Sequence, residues 1–420
     1  MISLVEARHY RCLRYVRQKL GPFHVIVGPN ASGKTTFLDA IAFLSQLVSD
    51  GLEAAVESRT ANFSDLVWWH EPGGFEIAVE AKLPEVVRHR LDSSEWDWDT
   101  IRYEVRLCLD EDANEVQIRA EQGFLKNADT SEPKERPLFP MPECPPDTII
   151  SRPKPKQRRL FSKARGGNDN YNAEARQRVG RWRPAFKLGP RKSTLGNLPE
   201  DDVNFPASSW FKQFLISGVE RIMLNSLEMR SPSPPGQGTG FRADGSNLPW
   251  VVADLRKSAS NRLREWIAHV QTALPDLESV TTVIRPEDRH CYLNLVYRGG
   301  LEVPSWMASD GTLRLLALTL PAYLNGEFSG SYLIEEPENG IHPRAVEAMY
   351  DSLSHVYGAQ ILLATHSPVI LSIAEPEDIL CFAKTRDGAT DIVSGENHPK
   401  LRDWRGEESL STLFAAGVLG

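Results

Sequence analysis

The 420-residue sequence predicts an α/β fold, in which buried strands form a central sheet and helices pack against it. Three observations lead there. Phe23–Val27 (FHVIV), Tyr332–Ile334 (YLI) and Gln360–Ala364 (QILLA) are apolar runs of strand length, short enough to be buried on both faces. Each ends in a turn of glycine or polar residues, which in an open α/β sheet is the end where ligands bind. After the first of these turns Phe37, Leu38, Ile41, Leu44 and Val48 recur at helical spacing, so strand passes directly into helix.

The first turn reads GPNASGKTT, from Gly28 through Pro29, Asn30, Ala31, Ser32, Gly33, Lys34 and Thr35 to Thr36. This is the spacing of a phosphate-binding loop, the hallmark of a P-loop NTPase. Unsatisfied backbone N–H groups at the start of a helix favour an anion, and glycines let the backbone approach it closely. Lys34 is expected to reach the β and γ phosphates of ATP, and the Thr35 hydroxyl to hold Mg²⁺.

The second turn begins with Glu335 and Glu336, followed by Pro337. Phosphoryl transfer to water needs charge neutralised at the γ-phosphate and a base that orients the attacking water. Glu335 is therefore expected on the metal side, and Glu336 as the general base. In the third turn, Thr365, His366, Ser367 and Pro368 follow the strand, which puts His366 where it can sense the γ-phosphate. Upstream, Ser309, Asp310, Gly311 and Thr312 have the composition of a helix cap for a helix running through Leu318.

Taken in order, GPNASGKTT, SDGT, EEPENGIHP and THSP resemble the ABC-type ATPase heads of the SMC and RecF group. They resemble most closely the OLD-like and abortive-infection ATPases of the AAA family. Smaller echoes are Tyr10 and Arg11 in YRCL and Asp244–Leu248 in DGSNL. The resemblance implies an ABC-type head with a mixed central sheet flanked by helices, with ATP and Mg²⁺ as cofactors. It also implies a homodimer or higher oligomer. In such heads the signature residues, here Ser309 and Gly311, contact the γ-phosphate held by the other copy, and Asn339, Gly340 and His342 match a loop crossing the same interface. The chain departs from the pattern at three places. Glu335 stands where most ABC heads have Asp, Asp310 replaces a signature glycine, and the glutamine-loop region around Trp68 and Trp69 offers His70 instead.

Three regions are expected: an N-terminal part of the head at 1–125, an insertion at 126–274, and a C-terminal part of the head at 275–420. The insertion is expected to be Pro-rich and basic at first, and then helical. Prolines crowd Ser131–Pro155, and Ser231–Gly240 (SPSPPGQGTG) marks a second break. Trp210–Leu227 and Val252–Leu274 are predicted as helices, the latter ended by Pro275, while Ser279–Arg285 and Cys291–Arg298 are predicted as strands.

A net charge of −8 argues against wholesale nucleic-acid binding, yet Ser151–Lys192 carries fourteen Lys or Arg against only Asp169 and Glu174. A cationic segment on an anionic body suits DNA or another acidic partner, with Tyr171, Trp182 and Phe186 expected to stack on exposed bases. Neutralisation of Arg158, Arg159, Arg181 and Arg183 is expected to weaken that contact. The five cysteines are scattered without CxxC spacing, which argues against zinc and disulfides and for a reducing cytoplasm. Charge at Glu6 and the lack of a long apolar run predict neither signal peptide nor membrane partner. The 52 residues after Pro368 are expected to be too few for the Toprim nuclease of OLD proteins. The resemblance thus implies an antiviral sensor ATPase acting with a separately encoded effector nuclease or toxin, the alternative being a RecF-like DNA-repair ATPase.

Overall fold

The computed structural model describes residues 1–91, 97–110, 112–131, 136–141, 143–152, 154–163, 166–175, 183–324, 330–401, 410 and 412. The chain begins with β1 (Ile2–Tyr10), β2 (Leu13–Lys19), β3 (Phe23–Val27), β4 (Phe75–Lys82), β5 (Thr100–Asp110) and β6 (Glu115–Lys126). It continues with β7 (Arg158–Lys163), β8 (Asp169–Tyr171), β9 (Ala185–Phe186), β10 (Val219–Ile222), β11 (Leu277–Ile284), β12 (Cys291–Tyr297) and β13 (Leu301–Pro304). Last come β14 (Ser331–Glu335), β15 (Gln360–Ala364), β16 (Ile379–Lys384) and β17 (Thr390–Ser394).

These strands make three sheets. A six-stranded sheet in the order β10-β14-β15-β3-β16-β17 is parallel except for its last pair. An eight-stranded antiparallel sheet runs β2-β1-β4-β5-β6-β7-β8-β9, and β11-β12-β13 form a small antiparallel one. The α/β class read from the apolar runs is the one observed, and the central sheet is mixed.

Side-chain alternation along the parallel strands divides the interior in two. Ile26, Leu333, Leu362 and Phe382 face the helix Lys34–Ser49 and the antiparallel sheet. Val25, Val27, Ile334 and Leu363 face the opposite way, toward the helices Leu248–Ser258, Ser260–Ala273, Asp310–Thr319 and Pro343–Ser354. The helix after the phosphate loop is thereby clamped between sheets: Phe37 is fully buried, edge-to-face with Phe382 at 5.5 Å. Burying one such ring contributes about 1.5–3 kcal/mol, enough that the loop ahead of the helix is held by the core.

The region expected as an insertion, 126–274, supplies strands to both large sheets. β7–β9 extend the antiparallel sheet, and β10 forms an edge of the parallel one. Trp210–Leu227 is not one helix: the helix Pro206–Ser217 stops at Gly218, and the chain then enters β10. Val252–Leu274 is broken at Ala259, whose extended φ of −149° separates two helices. The predicted strands Ser279–Arg285 and Cys291–Arg298 correspond to β11 and β12.

The expectation that Tyr171 stacks on bases is corrected. The ring is fully buried and its hydroxyl donates to the Thr194 carbonyl at 2.8 Å, because β8 lies inside the sheet. Phe186 is exposed on β9, whereas Arg181 and Trp182 lie outside the described residues. No helix among the described residues is long and apolar enough to cross a membrane.

Candidate nucleotide-binding site

Between β3 and the helix Lys34–Ser49 the backbone turns through three left-handed positions, Gly28 (φ 152°), Ala31 (φ 61°) and Gly33 (φ 103°). Two of them have no room for a side chain. A Cβ on Gly28 would collide with the Phe382 carbonyl, and one on Gly33 with the Thr390 hydroxyl, so β16 and β17 fix the loop from behind. Thr390 donates through Oγ1 to the Ser32 carbonyl (2.9 Å) and through its N–H to the Cys12 carbonyl (2.9 Å).

The cleft in front of the loop has a volume of about 600 Å³. Asn30, Ala31, Ser32, Gly33, Lys34, Thr35 and Thr36 line it, together with Glu335, Glu336 and His366. Gly28 and Pro29 lie at the back, where their carbonyls accept from Lys34 Nζ at 2.8 and 3.0 Å. Burial draws the Lys34 pKa down to about 8, opposed by the charges of Glu336 and Glu335.

The strand ends deliver the acids. Glu335, last residue of β14, accepts from Thr35 Oγ1 through Oε2 (2.5 Å) and from the Arg221 guanidinium through Oε1 (2.6 Å). Glu336 has left-handed φ (47°), its N–H bonded to the Ala364 carbonyl of β15 at 2.7 Å. Its Oε2 accepts from Asn339 Nδ2 at 2.5 Å. A residue with a Cβ is held in that region only when its surroundings over-determine it, and such strain gathers at functional sites. Glu338 accepts through Oε1 from Thr365 Oγ1 (2.6 Å) and from the His366 N–H (3.2 Å), joining the β14 and β15 turns. Burial and the neighbouring Lys34 lower the His366 pKa, against Glu336 and Glu338, so the ring is neutral at pH 7.

Arg221 and Glu338 were not singled out from sequence. Glu338 carried a signal, as the third acid of EEPE. Arg221 carried none, being 114 residues from Glu335 on a strand read as helix. Trp69 and His70, where a glutamine loop is expected, also line the cleft, in consecutive left-handed conformations (φ 50° and 53°).

These residues fit a magnesium nucleotide. Ser32 Oγ is buried with no hydrogen-bond partner among the described residues, and the Thr35 hydroxyl and Glu335 carboxylate form a hard oxygen pair suited to Mg²⁺. The loop N–H groups at the helix start complete an anion site.

Ser309 and Gly311 do not line this cleft. Ser309 caps the helix Asp310–Thr319, its Oγ accepting from the Thr312 N–H at 3.1 Å. Asp310 turns to Arg230, 2.8 Å away, which answers how a carboxylate is tolerated at a signature glycine position. Gly311 lies directly against the Gly340 carbonyl, leaving no room for a side chain where the Ser309 helix meets the loop after Glu336. Leu227, Trp306 and Met307 are exposed, and the helix Ser226–Arg230 that carries Leu227 packs on both the Asp310–Thr319 helix and the turn Ser305–Met307.

Comparison with known proteins bears on the fold. The structure is similar to that of an SMC head bound to the C-winged helix domain of ScpA (TM-score 0.54, 14% identity, covering 94% of this chain and 97% of that one). It is similar also to an SMC head with an extended coiled coil, bound to the C-terminal domain of ScpA, from Pyrococcus furiosus (TM-score 0.52, 14% identity, covering 99% and 98%). These likenesses show the fold, an SMC-type ATPase head. No curated protein matches the sequence. The model of the family described as "AAA domain, putative AbiEii toxin, Type IV TA system" matches residues 23–372, and the chain belongs to that family.

Proposed function

We propose that the protein binds and hydrolyses ATP, and that two copies pair with ATP held between the Lys34 cleft of one and the Ser309 face of the other. The observation that carries this reading is the split in the site: one cleft gathers Lys34, Thr35, Glu335, Glu336 and His366, while Ser309 and Gly311 stand outside it on a surface edged by exposed apolar side chains.

In this mechanism the loop N–H groups and Lys34 hold the β and γ phosphates. Thr35 and Glu335 would hold Mg²⁺, which would neutralise charge on the phosphates. Glu336, its carboxylate aimed by Asn339, takes the proton of a water that attacks the γ-phosphorus as the bond to the ADP oxygen breaks. His366, neutral and tied to Glu338 through the backbone, donates a hydrogen bond to the γ-phosphate oxygens. The test is turnover. Glu336→Gln should lose about 10²–10⁴-fold in hydrolysis while binding ATP, and His366→Ala about 10²-fold. Undiminished turnover in both would remove the assignment.

We further propose that this ATPase is the sensor or scaffold subunit of a prokaryotic antiviral system, acting with a separately encoded nuclease or toxin. The toxin–antitoxin description of its family supports that reading. Co-purification of one partner polypeptide from the native host, unaffected by nuclease treatment, is the expected result. A second reading, a RecF-like ATPase on DNA, is favoured by the exposed cations Arg152, Lys154, Lys156, Arg159 and Lys192 and by the exposed Phe186. Steeply salt-dependent binding of duplex DNA would select it instead.

A further inference from the structure

A second cavity, distinct from the nucleotide cleft, lies on the other side of the edge strand β10. Its volume is about 240 Å³, against roughly 150 Å³ for an engineered cavity that accepts benzene, so it has room for a ring and a short chain. Phe241, Val251, Leu255, Tyr332 and Val356 supply apolar wall. The only charged residues in the wall are Glu220 and Asp254, both acids, with no Lys or Arg among the described lining residues.

Glu220 is the unusual member. Its Oε2 is buried and has no hydrogen-bond partner among the described residues. Burial alone pushes its pKa up to about 7, with no compensating cation. A carboxylate left so is a standing cost, since buried polar groups are nearly always paired. Tyr332 sits directly opposite it in the β10–β14 register, so the carboxylate emerges from the sheet beside an aromatic ring.

We propose that this cavity is a binding site for a small amphiphilic amine, its apolar body lodged among Phe241, Leu255 and Tyr332 and its ammonium hydrogen-bonded to Glu220. The ammonium supplies a donor to the Glu220 carboxylate, which has no hydrogen-bond partner among the described residues, and the two acids with no base select a cation over an anion or a neutral ligand. The site is independent of the nucleotide reading, although the strands are shared: Arg221, next to Glu220, reaches Glu335.

The probe is 2-phenylethylamine, compared with 2-phenylethanol, which has the same shape without charge. In calorimetric titration of the full chain the amine should bind at least about tenfold more tightly than the alcohol, the usual return on a hydrogen bond to a charged group. Glu220→Gln should abolish that preference. Ser258→Trp, at an exposed position in the wall, should exclude both compounds without disturbing the core. Equal affinity for the two compounds, no binding of either at millimolar concentration, or unchanged amine affinity in either variant would overturn the proposal.

Discussion

Gly33 tests whether β17 fixes the phosphate loop. Alanine there must take up φ 103°, and a left-handed residue with a Cβ costs about 1–2 kcal/mol. The new Cβ also meets the Thr390 hydroxyl and lies 3.0 Å from Thr390 Cγ2 and 3.1 Å from Cys12 Sγ. Thr390 cannot swing aside without losing its bond to the Ser32 carbonyl, so overpacking adds about 1–3 kcal/mol. Gly33→Ala should thus destabilise by about 2–5 kcal/mol. Thr390→Ala removes the obstacle but leaves the Ser32 carbonyl without its donor, at about 1–3 kcal/mol. The double variant should therefore fall short of the sum of the two singles by about 1–3 kcal/mol. The assay is a denaturant-unfolding cycle over the four proteins. Additivity to within about 0.5 kcal/mol would refute the packing argument, because independent sites behave that way.

Two further predictions concern charge at the site. Lys34→Ala should abolish ATP binding; in the wild-type protein, affinity should fall as pH rises past about 8, since the ammonium that meets the phosphates is lost there. Affinity measured by equilibrium binding that is flat to pH 10 would contradict this. The folded-state pKa is lowered, so Lys34 itself makes stability rise, not fall, between about 8 and its unfolded value. Arg221→Ala should reduce several-fold the Mg²⁺ needed for half-maximal ATPase, because Glu335 loses a competing cation. It should change stability by only about 1 kcal/mol, the pair being partly exposed. An increased Mg²⁺ requirement would show that Arg221 assists the metal.

The parallel core was legible because buried strands there are written locally. FHVIV and QILLA are apolar apart from His24 and Gln360, and the helix after Gly33 keeps its apolar period. Residues of the cleft near those strand ends were legible for the same reason. What was not legible depends on distant pairing. β10 reads VERI, four residues whose charges suit an edge strand, and only its register with β14 distinguishes it from the helix before it. Arg221 was lost with it. β7 reads RRLFSK, in which cations disguise a strand; Lys163 bonds to Asp169 on β8, and Arg158 to the Ala173 carbonyl. The burial of Tyr171 was not legible because a buried tyrosine in a basic stretch has no local signature. Exposed Leu227 and Met307 are about 80 residues apart in sequence, and the elements that carry them pack together only in the fold.

Pairing through nucleotide is the claim on which the mechanism rests, and light scattering of Glu336→Gln with saturating Mg·ATP measures it directly. The mass should double on adding ATP, and Glu336→Gln combined with Ser309→Arg should bind ATP yet keep the mass of one chain. An ATP-loaded Glu336→Gln protein that stays a single chain, or a double variant that pairs as readily, would contradict the account.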